Sequence, residues 1–149
     1  MPRLLFLFSA INLIIGSSAF VLASIVEPLA RDLRARTARA GIRLLINDRV
    51  DIAALAEADG VHVGQDDLSP DDVRGVLGAH ATVGLSTHSD AQMHDAVRTS
   101  ASYLAIGPVF ATQSKANPDA AVGLAGVARA AAIAAAAGRP LVAIGGISL

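Results

Sequence analysis

The stretch LLINDRVDIAALAEADGVHVG, from Leu44 to Gly64, decides the fold class of this sequence. It opens with a short apolar run, Leu44 to Asn47, and ends with another, Val61 to Gly64. Between them, Ile52 to Ala58 has the apolar spacing of a helix. Short apolar runs that alternate with helices are typical of parallel strands joined by right-handed crossovers. The stretch therefore predicts a strand, a helix and a strand of an α/β protein.

The same unit recurs along the rest of the chain. Ser69 is a candidate N-cap before Pro70 at a first helical position, and Gly78 and Gly138 stand where helices should stop. Before the deciding stretch, an amphipathic helix is predicted from Leu29 to Ala40. The other predicted elements are helix Pro70 to Leu77, strand Thr82 to Ser86, helix Asp90 to Thr99, strand Tyr103 to Val109, helix Leu124 to Ala137 and strand Leu141 to Ile144.

A parallel sheet of this kind either closes into a TIM-type (β/α)8 barrel or stays open and doubly wound. Polar and glycine residues follow nearly every predicted strand, and barrel active sites are built from the loops at those strand ends. This favours the barrel. About five units are recognisable against the eight of a closed barrel. We therefore predict a partial barrel over residues 29–149.

The composition excludes several function classes. A formal net charge of -1 offers no basic face for nucleic acid, whose phosphates need neutralising. The absence of cysteine excludes disulfides, thiolate metal ligands and a thiol nucleophile. No spacing among the four histidines is that of a zinc site. His62 alternates with valines and is expected to be a packing residue, whereas His88, in a loop at the expected active end, is a candidate.

Residues 1–28 are an apolar segment with more than one interpretation. No charged residue occurs between Arg3 and Glu27, and the run from Leu4 to Val26 is long enough to cross a bilayer as a helix. Membrane contact of residues 4–26 is one interpretation. The others are a secretory signal, a buried strand and helix of the domain, or the product of a shifted reading frame.

Acidic side chains follow two consecutive predicted strands. Asp48 comes after the first strand of the deciding stretch, and Asp67 comes after the second. Neighbouring parallel strands lie roughly 4.8 Å apart, so carboxylates at the same ends can approach one hard cation. This half-site suits Mg²⁺, which takes one or two carboxylates together with substrate phosphate oxygens. The alternative is structural: Asp48 caps the following helix, and Asp66 or Asp67 faces solvent.

Groups that suit a phosphate follow two later strands. The loop from Phe110 to Lys115 offers hydroxyls, backbone donors and one ammonium group. Gly145 and Gly146 follow the last predicted strand, and bare backbone N–H groups can approach an anion closely. The alternatives are that Phe110 to Lys115 is an ordinary polar loop, and that Gly145 and Gly146 form a tight turn.

Five strings occur in the order, and with about the spacing, of thiamine-phosphate synthases. They are LLINDRVDIA, ADGVHVGQDDL, VGLSTH, YLAIGPVFATQSK with the later AVGL, and VAIGGI. Residues 44–147 thus resemble the central part of that family. The resemblance implies a (β/α)8 barrel that joins an aminomethylpyrimidine diphosphate to a thiazole phosphate and releases diphosphate with Mg²⁺. Because such activated substrates are made inside the cell, it also implies a cytoplasmic location, with a membrane anchor at the N-terminus as the alternative.

The resemblance also implies roles for individual residues, with Lys115 and Ser86 as the catalytic candidates. The implied pyrimidine contacts are Asn47 and Ser86, the Mg²⁺ ligands are Asp48 and Asp67, the diphosphate contact is Lys115, and the thiazole phosphate contacts are Thr112, Gln113 and Ser114 with Gly145 or Gly146. In the implied reaction, the aminopyrimidine supports a developing methylene cation while diphosphate departs, and the thiazole nitrogen then attacks. Positioning and electrostatics are sufficient for this chemistry.

The chain departs from the family pattern at both ends. The family has a QLR-x-K strand motif upstream of the helix that precedes LLINDR, and nothing from Met1 to Glu27 matches it. The final barrel unit, expected to complete the thiazole phosphate site, is missing after Leu149. Ser114 stands where the family usually has threonine, which keeps the hydroxyl. An incomplete barrel leaves sheet edges uncovered, so we expect association with another copy of the chain.

A non-catalytic phosphate-binding relative, or a thiazole tautomerase that shares the barrel, is the alternative to a synthase. Asp48, Asp67 and Lys115 speak against the tautomerase, because that reaction has no diphosphate to hold. The expected partners are small molecules, and no nucleic acid is expected.

Overall fold

The structure is a computed structural model that describes residues 4–6, 19–112 and 119–147, in which strands and helices alternate. The strands are β1 (Leu4–Phe6), β2 (Arg43–Asn47), β3 (Gly60–Val63), β4 (Thr82–Thr87), β5 (Tyr103–Ile106) and β6 (Leu141–Ala143). The helices are α1 (Ala19–Arg39), α2 (Val50–Leu55), α3 (Pro70–Leu77), α4 (Asp90–Ala96) and α5 (Gly123–Ala136). This order confirms the predicted α/β class.

The chain divides into two compact units. The first comprises Met1–His62 and Asp72–Thr82, and the second comprises Val63–Asp71 and Val83–Leu149. The first therefore contains β1, α1, β2 and α2, and the second contains α4, β5, α5 and β6.

Parallel strands form the sheet of the first unit. In β1 and β2, Leu4 pairs with Arg43, and in β2 and β3, Leu45 pairs with Gly60 and Asn47 with His62. Parallel neighbours need a crossover connection, which α1 and α2 supply.

Helix α1 packs on α2 through a small apolar cluster. Ala30, Ile52 and Ala56 are buried in it, and Val26 and Ile46 pack against them. The helix ends in a Schellman motif at Gly41, whose φ is 65°. The Ile42 N–H donates to the Thr37 carbonyl oxygen at 2.9 Å, and the Gly41 N–H donates to that of Ala38 at 3.1 Å.

Asp59 holds the start of β2 and the end of α1 in the first unit. Its Oδ2 accepts a 2.8 Å hydrogen bond from the N–H of Leu44, a fully buried residue. Its Oδ1 lies 3.2 Å from the Arg34 guanidinium. Directly after it, Gly60 has no room for a side chain, because a Cβ there would lie 1.8 Å from the Thr82 carbonyl oxygen. The loop between α2 and β3 is therefore fixed by both side-chain and backbone contacts.

Parallel pairing continues in the second unit through β4, β5 and β6. Gly84 pairs with Tyr103 and Thr87 with Ile106, and Leu104 pairs with Leu141. All of β5, and β4 from Val83 onward, is buried, whereas β6 is half-buried to exposed. The sequences of β4 and β5 are nearly continuous apolar runs because both faces of these strands are covered.

Helices α4 and α5 are joined by an ion pair in which Arg129 Nε lies 2.6 Å from Asp90 Oδ2. Ser89 caps α4, because its Oγ accepts from the Gln92 N–H at 3.2 Å. Buried small residues, Gly126, Ala130 and Ala134, form the inner face of α5.

Most predicted elements are present, with differences at their ends. Helix α1 begins at Ala19 instead of Leu29, and α4 ends at Ala96 instead of Thr99. β5 ends at Ile106 instead of Val109, because Pro108 has no N–H to donate to a strand partner. In the apolar N-terminal segment, the described residues form β1 and the beginning of α1. No helix within the described ranges has the length and hydropathy needed to cross a membrane.

Candidate active site

Asn47 and Asp48 lie at the carboxyl end of β2 in the first unit. Asn47 is half-buried, and Asp48 is exposed with a φ of 60°, which is uncommon for a residue other than glycine. The Asp48 N–H donates to the His62 carbonyl oxygen at 2.8 Å, and the Asp48 carbonyl oxygen accepts from the Val50 N–H at 3.1 Å. These bonds hold an unfavourable backbone conformation in place, as is common at functional sites.

The backbone N-cap position of α2 is Arg49, the residue directly after Asp48. His62 is buried in β3, as its predicted packing role requires.

Arg49 and Asp51, directly after Asp48, form a pair that the sequence analysis missed. Arg49 Nε lies 2.8 Å from Asp51 Oδ1, and Nη2 lies 2.6 Å from Oδ2, so the guanidinium is held at two points. Hydrogen bonds from Arg49 lower the pKa of the Asp51 carboxyl below its ordinary value. In the sequence, this pair is indicated only by the spacing of the two residues, an arginine two positions before an aspartate.

Asp67 lies in the loop after β3, in the second unit. Its Oδ2 accepts a 2.8 Å hydrogen bond from the Gly64 N–H, which closes the loop on itself. The side chain is exposed, and a carboxylate has about four lone-pair sites, so Asp67 keeps acceptor capacity for a cation.

Gln65, in the same loop, connects directly to Ser86. Its Nε2 donates to the Ser86 carbonyl oxygen at 2.6 Å, and Ser86 is buried in β4. The sequence places Gln65 in the loop GQDD, among the polar residues that follow a predicted strand, but does not indicate its contact with Ser86. Gln65 therefore belongs to the surroundings of a candidate catalytic residue.

A cavity of about 190 Å³ separates this loop from α4. Its lining includes Gln65 and Asp67 from the loop and Gln92, Asp95 and Thr99 from the other side. Ligand pockets usually measure about 300–1,000 Å³, so this cavity is too small for a whole substrate.

Gly145 and Gly146 lie against the chain that leaves β5. The Val109 N–H donates to the Ile144 carbonyl oxygen at 2.9 Å, and the Phe110 N–H donates to that of Gly145 at 3.1 Å. Gly146 has a φ of 69°, and a Cβ there would lie 2.5 Å from the Phe110 carbonyl oxygen. Only glycine fits such a left-handed, crowded position. The structure thus brings the glycine pair beside the segment that leads to Thr112.

The loop from Phe110 to Lys115, predicted to bind a phosphate, is described only as far as Thr112. Thr112 is half-buried. Gln113, Ser114 and Lys115 lie outside the described residues, so their roles remain predictions.

His88 follows β4, and its ring lies between two oxygen atoms. Its Nδ1 is 2.6 Å from the Gly107 carbonyl oxygen, and its Nε2 is 3.4 Å from Asp119 Oδ2.

The two predicted Mg²⁺ ligands belong to different units, Asp48 to the first and Asp67 to the second. Each is an exposed carboxylate after a strand, which is the ligand chemistry that Mg²⁺ takes, usually with several waters. Within the described ranges, no group of three or more His, Asp or Glu side chains could hold a metal ion. A shared site for these two carboxylates stays a prediction.

Comparison with known proteins identifies the family of this chain. The family model for thiamine monophosphate synthase matches residues 23–149. The chain belongs to the thiamine monophosphate synthase family. The resemblance predicted from the five strings is therefore confirmed.

Curated members of the thiamine monophosphate synthase family are similar over most of the chain. Thiamine-phosphate synthase of Koribacter versatilis is 50% identical over 119 residues, which are 80% of this chain and 54% of that protein. Thiamine-phosphate synthase of Chloroflexus aurantiacus is 45% identical over 119 residues, 80% of this chain and 53% of that protein. The chain spans about half the length of these relatives.

A solved member of the thiamine monophosphate synthase family has the same fold. Thiamine phosphate pyrophosphorylase from Pyrococcus furiosus matches with a TM-score of 0.68 and 30% sequence identity, covering 82% of this chain and 56% of that chain. This likeness confirms the predicted TIM-type fold class.

Proposed function

We propose that this chain acts in thiamine biosynthesis as a thiamine-phosphate synthase, a transferase. The observation that supports this most strongly is its 50% identity over 119 residues to a protein named thiamine-phosphate synthase. The relatives' names favour a synthase over a thiazole tautomerase. The proposed reaction condenses 4-amino-2-methyl-5-(diphosphooxymethyl)pyrimidine with thiazole phosphate to give thiamine phosphate and diphosphate.

In the proposed reaction, the bond between the pyrimidine methylene carbon and the diphosphate oxygen breaks, and its electron pair leaves with diphosphate. The lone pair of the thiazole nitrogen then forms the new carbon–nitrogen bond. Asn47 and Ser86 orient the pyrimidine, and the Lys115 ammonium stabilises the charge on the departing diphosphate. If both substrates are held with the reacting carbon and nitrogen atoms facing each other, the entropic part of the activation free energy is lower.

Mg²⁺ is part of this proposal. Asp48 and Asp67 would hold it, and when bound it would neutralise charge that develops on the diphosphate oxygens. Both carboxylates are exposed, which suits a cation that keeps part of its water.

The thiazole phosphate is proposed to bind between Thr112 to Ser114 and the glycine pair. The hydrogen bond from Phe110 to Gly145 supports this, because it holds the start of the loop beside Gly145 and Gly146. Backbone N–H groups without neighbouring Cβ atoms suit the close approach of a phosphate.

The test mixes the full chain with both substrates and Mg²⁺ and measures thiamine phosphate by mass spectrometry. We expect product from the wild-type chain, none from Lys115→Gln, and wild-type yield from His94→Ala, which changes an exposed residue of α4. Absence of product from a wild-type chain with a cooperative unfolding transition would reject synthase activity for this chain.

We also propose a cytoplasmic location and association between copies of the chain. The first follows from the place where activated substrates are made, and cell fractionation tests it. The second follows from strand edges that invite pairing, and light scattering tests it. A strictly monomeric chain would contradict the second.

A further inference from the structure

The turn after β2 places three different polar groups in succession. Asn47 ends the strand, and Asp48 and Arg49 follow it, so an amide, a carboxylate and a guanidinium occupy consecutive positions. The active sites of barrels are built at the carboxyl ends of their strands. Arg49 is the one of these three residues that has no role in the proposed reaction.

Backbone hydrogen bonds fix the point from which the Arg49 side chain leaves the chain. The Asp48 N–H donates to the His62 carbonyl oxygen of β3 at 2.8 Å, and the Arg49 N–H donates to that of Asn47 at 2.7 Å. The Arg49 carbonyl oxygen accepts from the Ala53 N–H of α2 at 3.0 Å. The backbone of Arg49 is therefore held to β2 on one side and to α2 on the other.

Asp51 holds one edge of the Arg49 guanidinium. Arg49 Nε donates to Asp51 Oδ1 at 2.8 Å, and Nη2 donates to Oδ2 at 2.6 Å. A guanidinium has five N–H donors in a rigid planar fork, and this contact takes two of them. The same contact orients the opposite edge, between Nη1 and Nη2, which suits two oxygen atoms of a phosphate. The Arg49 side chain is 35% exposed, so a ligand in solution can reach it.

The charges next to Arg49 favour a phosphate ligand that carries a metal ion. One arginine lies between the carboxylates of Asp48 and Asp51 in the sequence, so a free anion would meet an excess of negative charge. A phosphate group bound to Mg²⁺ avoids this, because the ion offsets the charge of Asp48, its proposed ligand. In the proposed reaction the diphosphate is such a ligand, and Lys115 is the only side chain assigned to it so far.

We propose that Arg49 is a binding residue for the metal-bound diphosphate group and that Asp51 is the positioning residue that orients it. Consecutive residues then have separate tasks: Asn47 contacts the pyrimidine, Asp48 contacts the metal ion, and Arg49 contacts diphosphate oxygens at two points. This assignment deepens the proposed function and rests on it for the identity of the substrate.

Binding of inorganic diphosphate in the presence of Mg²⁺ tests the assignment without organic substrates or turnover. Calorimetry on the full chain measures Kd. We expect Arg49→Gln to raise Kd about tenfold, because a charge-assisted contact is lost. The matched control is Arg36→Gln, which removes the same charge from an exposed ion pair with Asp32 and should change Kd less than about twofold.

Three results of this measurement would overturn the proposal. They are a wild-type chain that binds no diphosphate, an unchanged Kd in Arg49→Gln, and equal increases of Kd in Arg49→Gln and Arg36→Gln. The last result would mean that the net charge of the chain decides, and not a contact at this turn.

Arg49→Lys separates the geometry of the contact from its charge. Lysine keeps the positive charge but lacks the planar fork that binds two oxygen atoms at once. We expect Kd for diphosphate to rise about threefold to fivefold. A wild-type Kd would show that any cation is sufficient and would overturn the two-point contact. This variant also decides the question if Arg49→Gln shows no cooperative unfolding transition.

A double mutant tests the role of Asp51. Asp51→Asn alone should raise Kd about threefold, because the guanidinium loses the ionic partner that orients it. In the Arg49→Gln background the same change should have less than about twofold effect, because Asp51 acts through Arg49. A lower Kd in Asp51→Asn would show that Asp51 competes with diphosphate for the guanidinium, and would overturn its assignment.

Turnover distinguishes failure of this inference from failure of the proposed function. If the wild-type chain forms thiamine phosphate, Arg49→Gln should raise KM for the pyrimidine diphosphate about tenfold and keep KM for thiazole phosphate within about twofold. Wild-type kinetics in Arg49→Gln would overturn the role of Arg49 alone. A chain that forms no product but binds diphosphate through Arg49 would reject the synthase and retain the contact.

Discussion

The side-chain amide of Gln65 donates to the backbone carbonyl oxygen of Ser86 at 2.6 Å. This bond joins the loop after β3 to a buried residue of β4, within the second unit. We expect Gln65→Ala to lower the free energy of unfolding by about 1 kcal/mol, the usual net contribution of one hydrogen bond. Urea unfolding measures it, with Asp66→Ala, an exposed neighbour, as the control. Equal stabilities of the two variants would count against this bond.

Removing the Asp59 side chain should destabilise the first unit more than removing Gln65 destabilises the second. Asp59→Ala removes the acceptor of the Leu44 N–H and the partner of Arg34. We expect a loss of about 1–3 kcal/mol, because a buried N–H is left without its acceptor. The matched control is Asp32→Ala, which breaks only an exposed pair with Arg36 and should cost about 0.5 kcal/mol or less. Chemical denaturation of the two variants compares them, and a similar cost for both would contradict the buried role of Asp59.

Two glycines with similar backbone angles should respond differently to alanine. Gly146 and Gly41 have φ values of 69° and 65°, but only Gly146 is crowded, since a Cβ on Gly41 would meet nothing within 4 Å. Gly41→Ala should cost about 1 kcal/mol from the left-handed backbone alone. Gly146→Ala should cost at least about 1 kcal/mol more, because the Phe110 carbonyl oxygen must move. Thermal unfolding measures both losses, and equal losses for the two variants would contradict this crowding.

Gly75 offers a stabilising substitution. Gly75 is an exposed residue inside α3, and a Cβ added to it would meet no heavy atom within 4 Å. Gly75→Ala should raise the free energy of unfolding by about 0.5–1 kcal/mol, from helix propensity and lost freedom of the unfolded chain. A stability equal to or below wild type in urea would show that this helix interior is not free to take a methyl group.

The Arg49–Asp51 pair predicts an acid-dependent contribution to stability. Hydrogen bonds from Arg49 lower the pKa of Asp51 in the folded chain. Because the pKa of Asp51 is lower in the folded chain than in the unfolded chain, the pair stabilises the fold when the pH is above the unfolded pKa. This stabilisation is lost as the pH falls through the folded pKa. The stability difference between wild type and Asp51→Asn should therefore shrink below about pH 4. Denaturation curves across that range measure it, and a difference that grows on acidification would have the wrong sign.

Local signals were enough to predict most of the fold. Pro70 and Gly78 bracket α3, and Ser89 begins α4, because proline, glycine and serine have strong positional preferences at helix ends. The apolar run from Leu4 was harder, because an apolar run alone does not distinguish a strand from a membrane helix or a buried helix. The structure has a three-residue strand at its beginning.

The positions of the candidate site residues were easier to predict than their contacts. Asp48 and the glycine pair follow strands and Ser86 lies near the end of one, so their positions could be derived from the strand pattern. The bonds from Gln65 to Ser86 and from His88 to Asp119 join residues more than 20 positions apart. No local propensity specifies such pairs, because they depend on which loops the tertiary structure brings together.

Asp48 illustrates how such a site constrains protein engineering. Its left-handed backbone suits glycine better than aspartate by about 1 kcal/mol. A stability screen alone would therefore select glycine at this position and discard the carboxylate. Directed evolution for heat resistance would need a simultaneous selection for turnover to keep the aspartate.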